Sequence, residues 1–275
     1  MKSFQIWDRS GEPSSGDALE PFAYEEWLLG EIGYGRLPAG VHLWRHRRAL
    51  VLGLRDARLP GAPKAMRWFE REGWSIAVRH SGGALVPLDD GVVNVALLLP
   101  NPDGRFAHRE DFRRLAGWIA EAAAEACGLA TDVGEIAGAY CPGEFDLSAA
   151  GRKYAGLAQR RALRASTVQA FVVVAGEGRA LADAACRFYS IAREDSGEDG
   201  YPPAVDPAKT ASLAELAGGT AVTVESFVQA FKRVLVRCGG AEVPSPMPPA
   251  GEIERLTATM RERYGRSRSA ASANR

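Results

Sequence analysis

The stretch YCPGEFDLSAAGRKYAGLAQRR (140–161) carries a single cysteine in a loop and, behind a turn, a lysine at the head of a strand. Ala149-Ala150-Gly151 reads as a hairpin tip, which places Lys153 near the start of the following strand. Cys141 is flanked by Pro142 and Gly143 in a loop between two strands, and loops on a rigid scaffold are where nucleophiles are displayed. A lysine ammonium beside a thiol favours the thiolate, which is the reactive form. The same charge can stabilise the oxyanion formed when a carbonyl is attacked. Spacing alone does not bring the two side chains together, because a Pro-Gly turn intervenes. A solvated lysine and a bystander thiol would be spelled the same way. The other cysteines, at 127, 186 and 238, lie in or at the ends of helical stretches and read as small buried hydrophobes.

Upstream, VRHSGGALVPLDDGVVNVALL (78–98) adds a second group of polar residues between apolar runs. Gly82 and Gly83 allow another group to approach the backbone closely and leave N–H groups free for a carbonyl or anion. A Ser-Gly-Gly turn is equally ordinary hairpin punctuation between the strands at 74–80 and 84–88. His80 reads either as a polar residue ending a strand or as a proton shuttle. Asp89, Asp90 and Asn94 are turn-formers by default and site residues only with support.

Around these blocks the periodicity predicts helices at 21–35, 63–73, 109–128, 178–192, 208–217, 223–238 and 252–264, with Thr223 as a cap. Strands are predicted within 41–54, at 74–80, 84–88 and 92–99, and at 166–176. Residues 1–20 are polar and read as a flexible segment lying loosely on the surface. Residues 239–251 read as a Pro-rich connector, and 266–275 as a disordered Arg/Ser tail. The sum is an α+β fold: a mixed β-sheet flanked by helices, with a small helical C-terminal part. The domain boundaries fall at 21–240 for the main domain and 241–265 for a linker and last helix.

Composition narrows the function classes. The 275 residues carry 34 Lys plus Arg against 34 Asp plus Glu, so the basic excess of a nucleic-acid binder is missing. No run of about 18 apolar residues suggests a membrane span, and the N-terminus does not resemble a signal peptide. The cysteines lack the close pairing of zinc or redox motifs, which points to free thiols in a reducing cytoplasm. Phosphate-loop, dinucleotide, H-E-x-x-H and G-x-S-x-G motifs do not occur. The expectation is a cytoplasmic monomer that needs neither metal nor cofactor. Two basic clusters, Arg45-His46-Arg47-Arg48 and Arg160-Arg161 with Arg164, are candidates for a local docking patch.

Taken together, the two blocks resemble the biotin/lipoate protein ligase superfamily. Arg79-His80-Ser81-Gly82-Gly83-Ala84-Leu85-Val86-Pro87-Leu88-Asp89 is similar to its R-x-x-G-G-G-x-V-x-H-D-type loop. Gly151-Arg152-Lys153-Tyr154-Ala155-Gly156-Leu157-Ala158-Gln159-Arg160-Arg161 is similar to its G-x-K-x-x-G-x-x-Q-R-R-type strand. The likeness runs from about residue 20 to 240. The phrase Tyr140-Cys141-Pro142-Gly143-Glu144-Phe145-Asp146-Leu147-Ser148 looks like the octanoyl-[glycine cleavage H protein]:protein octanoyltransferases, the amidotransferase branch of lipoate assembly. Ala84 stands where ATP-using ligases keep a third glycine, and Leu88-Asp89 where they keep His-Asp.

The resemblance implies an acyltransferase of the biotin/lipoate protein ligase (BPL/LPL) catalytic type. Cys141 would attack the octanoyl amide of the H protein, and the resulting thioester would be passed to lipoyl domains of 2-oxoacid dehydrogenase E2 subunits. It also implies that Lys153 holds the carbonyl oxygen and that Gly82 and Gly83 line the pocket. Arg79, His80, Ser81, Asp89 and Gly156 complete the implied substrate-binding set. The rival readings are a transferase fed by octanoyl-acyl carrier protein, an ATP-dependent lipoate ligase, and a silent carrier-domain binding protein.

Overall fold

A computed structural model of the chain describes residues 3–101, 104, 108–193 and 201–264. In chain order the elements are β1 (Phe4–Ser14), α1 (Glu20–Gly33), β2 (Gly40–His46), β3 (Arg48–Leu52), α2 (Ala62–Arg71), β4 (Ser75–Val78), β5 (Val86–Asp89), β6 (Val92–Pro100) and α3 (His108–Cys127). There follow β7 (Asp132–Val133), β8 (Leu147–Ala149), β9 (Arg152–Arg161), β10 (Ala165–Val173), α4 (Gly178–Ala192), α5 (Leu213–Leu216), α6 (Val224–Arg237), β11 (Gly240–Glu242) and α7 (Glu252–Tyr264). Eight strands form one mixed sheet in the order β11-β1-β2-β6-β10-β9-β8-β7, and a three-stranded sheet runs β4-β3-β5. The α+β expectation holds.

Strand β6 reads VVNVALLLP without alternation because both faces of the large sheet are covered. Val93, Val95 and Leu97 pack with Leu115 and Ile119 of α3 and Phe231 of α6. On the other face Ala96 and Leu98 meet Tyr24 and Leu28 of α1, and Val92 joins the core beneath the small sheet. No helix among the described residues is long and apolar enough to cross a membrane.

Several expectations need correction. Residues 4–14 are not a loose surface segment: they form β1, paired in parallel with both β2 and β11. Phe4, Ile6 and Trp7 are buried, and the Trp7 ring occupies the space a Cβ on Gly40 would need, with ring atoms 2.3 Å from that position. The polar look of the segment comes from its outer face and its second half. The connector 239–251 begins as strand β11. The helix expected at 208–217 is a 3₁₀ turn (Pro207–Lys209) followed by α5, whose start is closed by a Ser212/Glu215 capping box. Strands β4 and β5 are not a hairpin: both pair with β3, β4 in parallel and β5 antiparallel, so 79–85 passes across the end of the central strand β3. The tail 266–275 lies outside the described residues.

Candidate active site

The predicted hairpin tip is present: Ala150 and Gly151 both have positive φ, and β9 starts at Arg152. Lys153 therefore enters the core rather than the solvent and is fully buried. Its ammonium donates to the carbonyl oxygens of Tyr140 (3.0 Å) and Cys141 (2.5 Å) and pairs with Asp146 at 2.8 Å. Three donors meet three acceptors. Asp146 also accepts from the Gly143 N–H at 3.0 Å, so one carboxylate and one ammonium lock the whole 140–146 loop. Burial raises the Asp146 carboxyl to about 6, against the opposing charge and hydrogen bond of Lys153.

That lock holds Cys141 at φ 49°, a left-handed conformation that costs a non-glycine residue roughly 1–3 kcal/mol. Tyr140 stacks on Phe171 of β10, with centroids 5.4 Å apart, and fixes the loop from the other side. Cys141 as a whole is 7% exposed and lines a cavity with about 430 Å³ of empty space, its open mouth included. Phe22, Val51, Val86, Leu88 and Phe171 make most of its wall apolar.

The crossover loop brings Arg79 to the thiol. The guanidinium is buried; its Nη2 donates to the Ala84 carbonyl at 2.7 Å and lies 3.5 Å from Cys141 Sγ. Its charge is placed to stabilise negative charge on the sulfur. Arg79 Nε is buried without a hydrogen-bond partner among the described residues. Gly83 has φ 90°, and a Cβ there would lie 2.6 Å from Arg79 Nη2 and 3.1 Å from Cys141 Sγ, so only glycine fits between the loops. Gly156 serves Lys153 in the same way: a Cβ would meet Phe171 at 2.6 Å and the ammonium at 2.9 Å.

The structure thus brings together Cys141, Lys153, Arg79, Gly83 and Gly156. Gly82 is exposed at the rim, and the Ser81 hydroxyl is buried with no partner among the described residues. His80 Nε2 lies 3.1 Å from Glu26, which also pairs with Arg160. Burial works to raise the Glu26 carboxyl, but the hydrogen bonds and charges of His80 and Arg160 outweigh it and bring it down to about 2. Asp89 does not line the cavity; its side chain turns back to accept from the Gly91 N–H at 2.9 Å and closes the turn between the two sheets.

Of the basic clusters, Arg45 is buried and donates to the carbonyls of Ser10, Gly11 and Asp90, which removes it from any docking patch.

Buried carboxylates escaped the sequence reading, Asp146 and Asp56 among them. Asp146 sits inside the quoted phrase but is spelled like a turn-former. Asp56 is fully buried, accepts from Tyr189 (2.8 Å), Tyr201 (2.5 Å) and the Gly53 N–H (2.7 Å), and had no local signal at all.

The model of the lipoyl protein ligase A/B catalytic domain matches residues 17–236. The chain belongs to that family. It is 36% identical over 237 residues to the octanoyl-[GcvH]:protein N-octanoyltransferase of Geobacillus kaustophilus, covering 86% of this chain and 83% of that protein. The lipoyl-[GcvH]:protein N-lipoyltransferase of Listeria monocytogenes is 30% identical over 200 residues, 73% of this chain and 72% of its own. Among solved structures, a putative lipoate protein ligase from Thermoplasma acidophilum with bound lipoic acid superposes with a TM-score of 0.64 at 17% identity, over 97% of this chain and 98% of that one. A lipoate-protein ligase A bound with ATP gives 0.64 at 16% identity, over 97% of each chain. At such identities the structural likeness establishes the fold.

Proposed function

We propose that the chain is an octanoyl-[GcvH]:protein N-octanoyltransferase working through an acyl-thioester on Cys141. The observation that carries this reading is a thiol held in a left-handed backbone on the wall of a largely apolar slot, 3.5 Å from a buried guanidinium. The relatives named for octanoyl transfer from GcvH support the donor.

In the first half-reaction Cys141 Sγ attacks the octanoyl amide carbonyl on the H protein's lysine. The C–S bond forms, the C–N bond breaks, and the proton given up by the thiol leaves on the lysine amine. In the second, a lysine of an E2 lipoyl domain attacks the thioester. The C–N bond forms, the C–S bond breaks, and a proton returns to sulfur. An amide is exchanged for an amide, so the balance is near even and the transfer runs both ways.

Lys153 takes a different part from the one the resemblance implies. All its donors are occupied by the loop, so its work is to fix Cys141. The Arg79 guanidinium, whose Nη2 lies 3.5 Å from the sulfur, is the better donor to the oxyanion. Four unpaired thiols support a reducing, cytoplasmic setting, and in this reading the protein acts as a monomer on protein substrates alone, without nucleic acid or membrane.

Mass spectrometry of the protein incubated with octanoylated H protein tests the reading. One added octanoyl group on Cys141, absent in Cys141→Ala, is expected. Unimpaired transfer by a folded Cys141→Ala protein would refute it.

A further inference from the structure

The slot behind Cys141 has one polar end. We propose that a buried cluster of Glu25, His42, Trp44 and Gln169 terminates the slot and sets the length of the acyl chain that Cys141 accepts. The inference rests on the thioester reading of the same site.

Strand register gives the geometry. Gly156, Phe171, Asn94 and Trp44 lie side by side across β9, β10, β6 and β2, and this row adjoins Lys153 and Tyr140. The next row on the same face, Ala158, Gln169, Ala96 and His42, is two residues further along, roughly 6.6 Å. Helix α1 covers both rows. Phe22 packs edge-on against Trp44 with centroids 5.3 Å apart, and Glu25, one turn on, reaches the second row. Beyond it Trp7, Leu28 and Leu98 fill the interior with side chains that do not line the slot.

Glu25 is buried and accepts from Trp44 Nε1 at 2.8 Å and from the Gln169 amide, with His42 Nδ1 at 3.1 Å. A plain apolar plug would have closed the slot, as it does in the row behind. A carboxylate with three partners closes it differently. A longer acyl chain would have to push donors off a buried charge, which is penalised far more than the shifting of a methyl group. The amide oxygen of Gln169, which lies in this end row, is buried without a partner among the described residues, so methylenes added there would meet an unpaired polar atom. The result is a sharp upper limit where a soft apolar end would give a gradual one.

The test uses the full chain and acyl-coenzyme A thioesters of six, eight, ten and twelve carbons, with Cys141 acylation read by intact mass. Each preparation is scored by the ratio of its own rates, which is insensitive to the fraction folded. The wild type is expected to fall steeply between eight and ten carbons. Gln169→Ala makes room at the end, and the ten-to-eight ratio should rise on the order of tenfold, the worth of two methylenes in an apolar slot. Ala158→Val fills the same row and should shift the preference toward six carbons. If Gln169→Ala does not melt cooperatively, Ala158→Val decides alone. Unchanged ratios in a folded variant overturn the proposal while leaving the thioester intact. A wild type acylated neither by these thioesters nor by octanoylated H protein overturns the reading beneath it.

Discussion

Replacing Lys153 by alanine should damage both stability and catalysis, and the structure separates the two. The ammonium serves two backbone carbonyls and a carboxylate, all buried. Removing one partner of such a pair leaves the other charge uncompensated and costs about 3–5 kcal/mol. Asp146, already raised to about 6 by burial, can shed part of that cost by taking up a proton. A loss of ~2–4 kcal/mol in urea unfolding is therefore expected, out of a total of roughly 5–15 kcal/mol. Acylation of Cys141 should slow by roughly 10²–10³, because the strained loop relaxes and the sulfur leaves its place beside Arg79. Lys153→Arg should rescue poorly, since a planar fork cannot replace a point donor among three acceptors. The double variant Lys153→Met/Asp146→Leu removes the buried charges together. It should regain most of the stability but not the rate. The assay pairs an unfolding curve with single-turnover octanoylation. Lys153→Ala with wild-type stability and wild-type acylation would refute the reasoning and return Lys153 to a passive place in the core.

Gly83→Ala should cut acylation at least tenfold while the chain still folds, because the added methyl lies between Arg79 and the sulfur and forces φ 90° on alanine; stopped-quench acylation together with a melting curve checks it. Asp146 has a folded-state value of about 6 against 3.8 for the free side chain. Its contribution to stability is therefore full below pH ~4 and declines as pH rises to ~6. The stability of the protein relative to Asp146→Asn should fall across that window by up to a few kcal/mol, and denaturation at pH 4 and pH 7 measures it. Charge reversal at Arg164 should raise the apparent KM for the H protein and flatten its salt dependence, while leaving the rate with a small octanoyl thioester nearly unchanged; equal losses with both donors would make the arginine part of the site.

The sequence alone carried the element types wherever one period dominated: the long amphipathic α3, the capped α6, the unbroken apolar run of β6. It also carried the Cys-to-Lys block, because a hairpin tip is written in three adjacent residues, Ala149-Ala150-Gly151. Strand β1 escaped because its burial depends on a glycine across the sheet, Gly40, and on pairing with β11 more than 220 residues away. The ordering of the small sheet escaped for a related reason. Turn residues announce that the chain reverses but not which strand it will lie beside.

The chemistry divides the same way. Cysteine and lysine could be named as nucleophile and cation from their neighbours. Which cation touches the sulfur was decided by tertiary structure, since Arg79 reaches Cys141 across 62 positions of sequence. That Lys153 is fully committed to holding the loop follows from burial of Asp146, and burial of a single carboxylate is a property of the packed whole. Local sequence fixes which hydrogen-bonding groups a chain owns; only the fold determines which of them water can no longer reach, and so which must find one another.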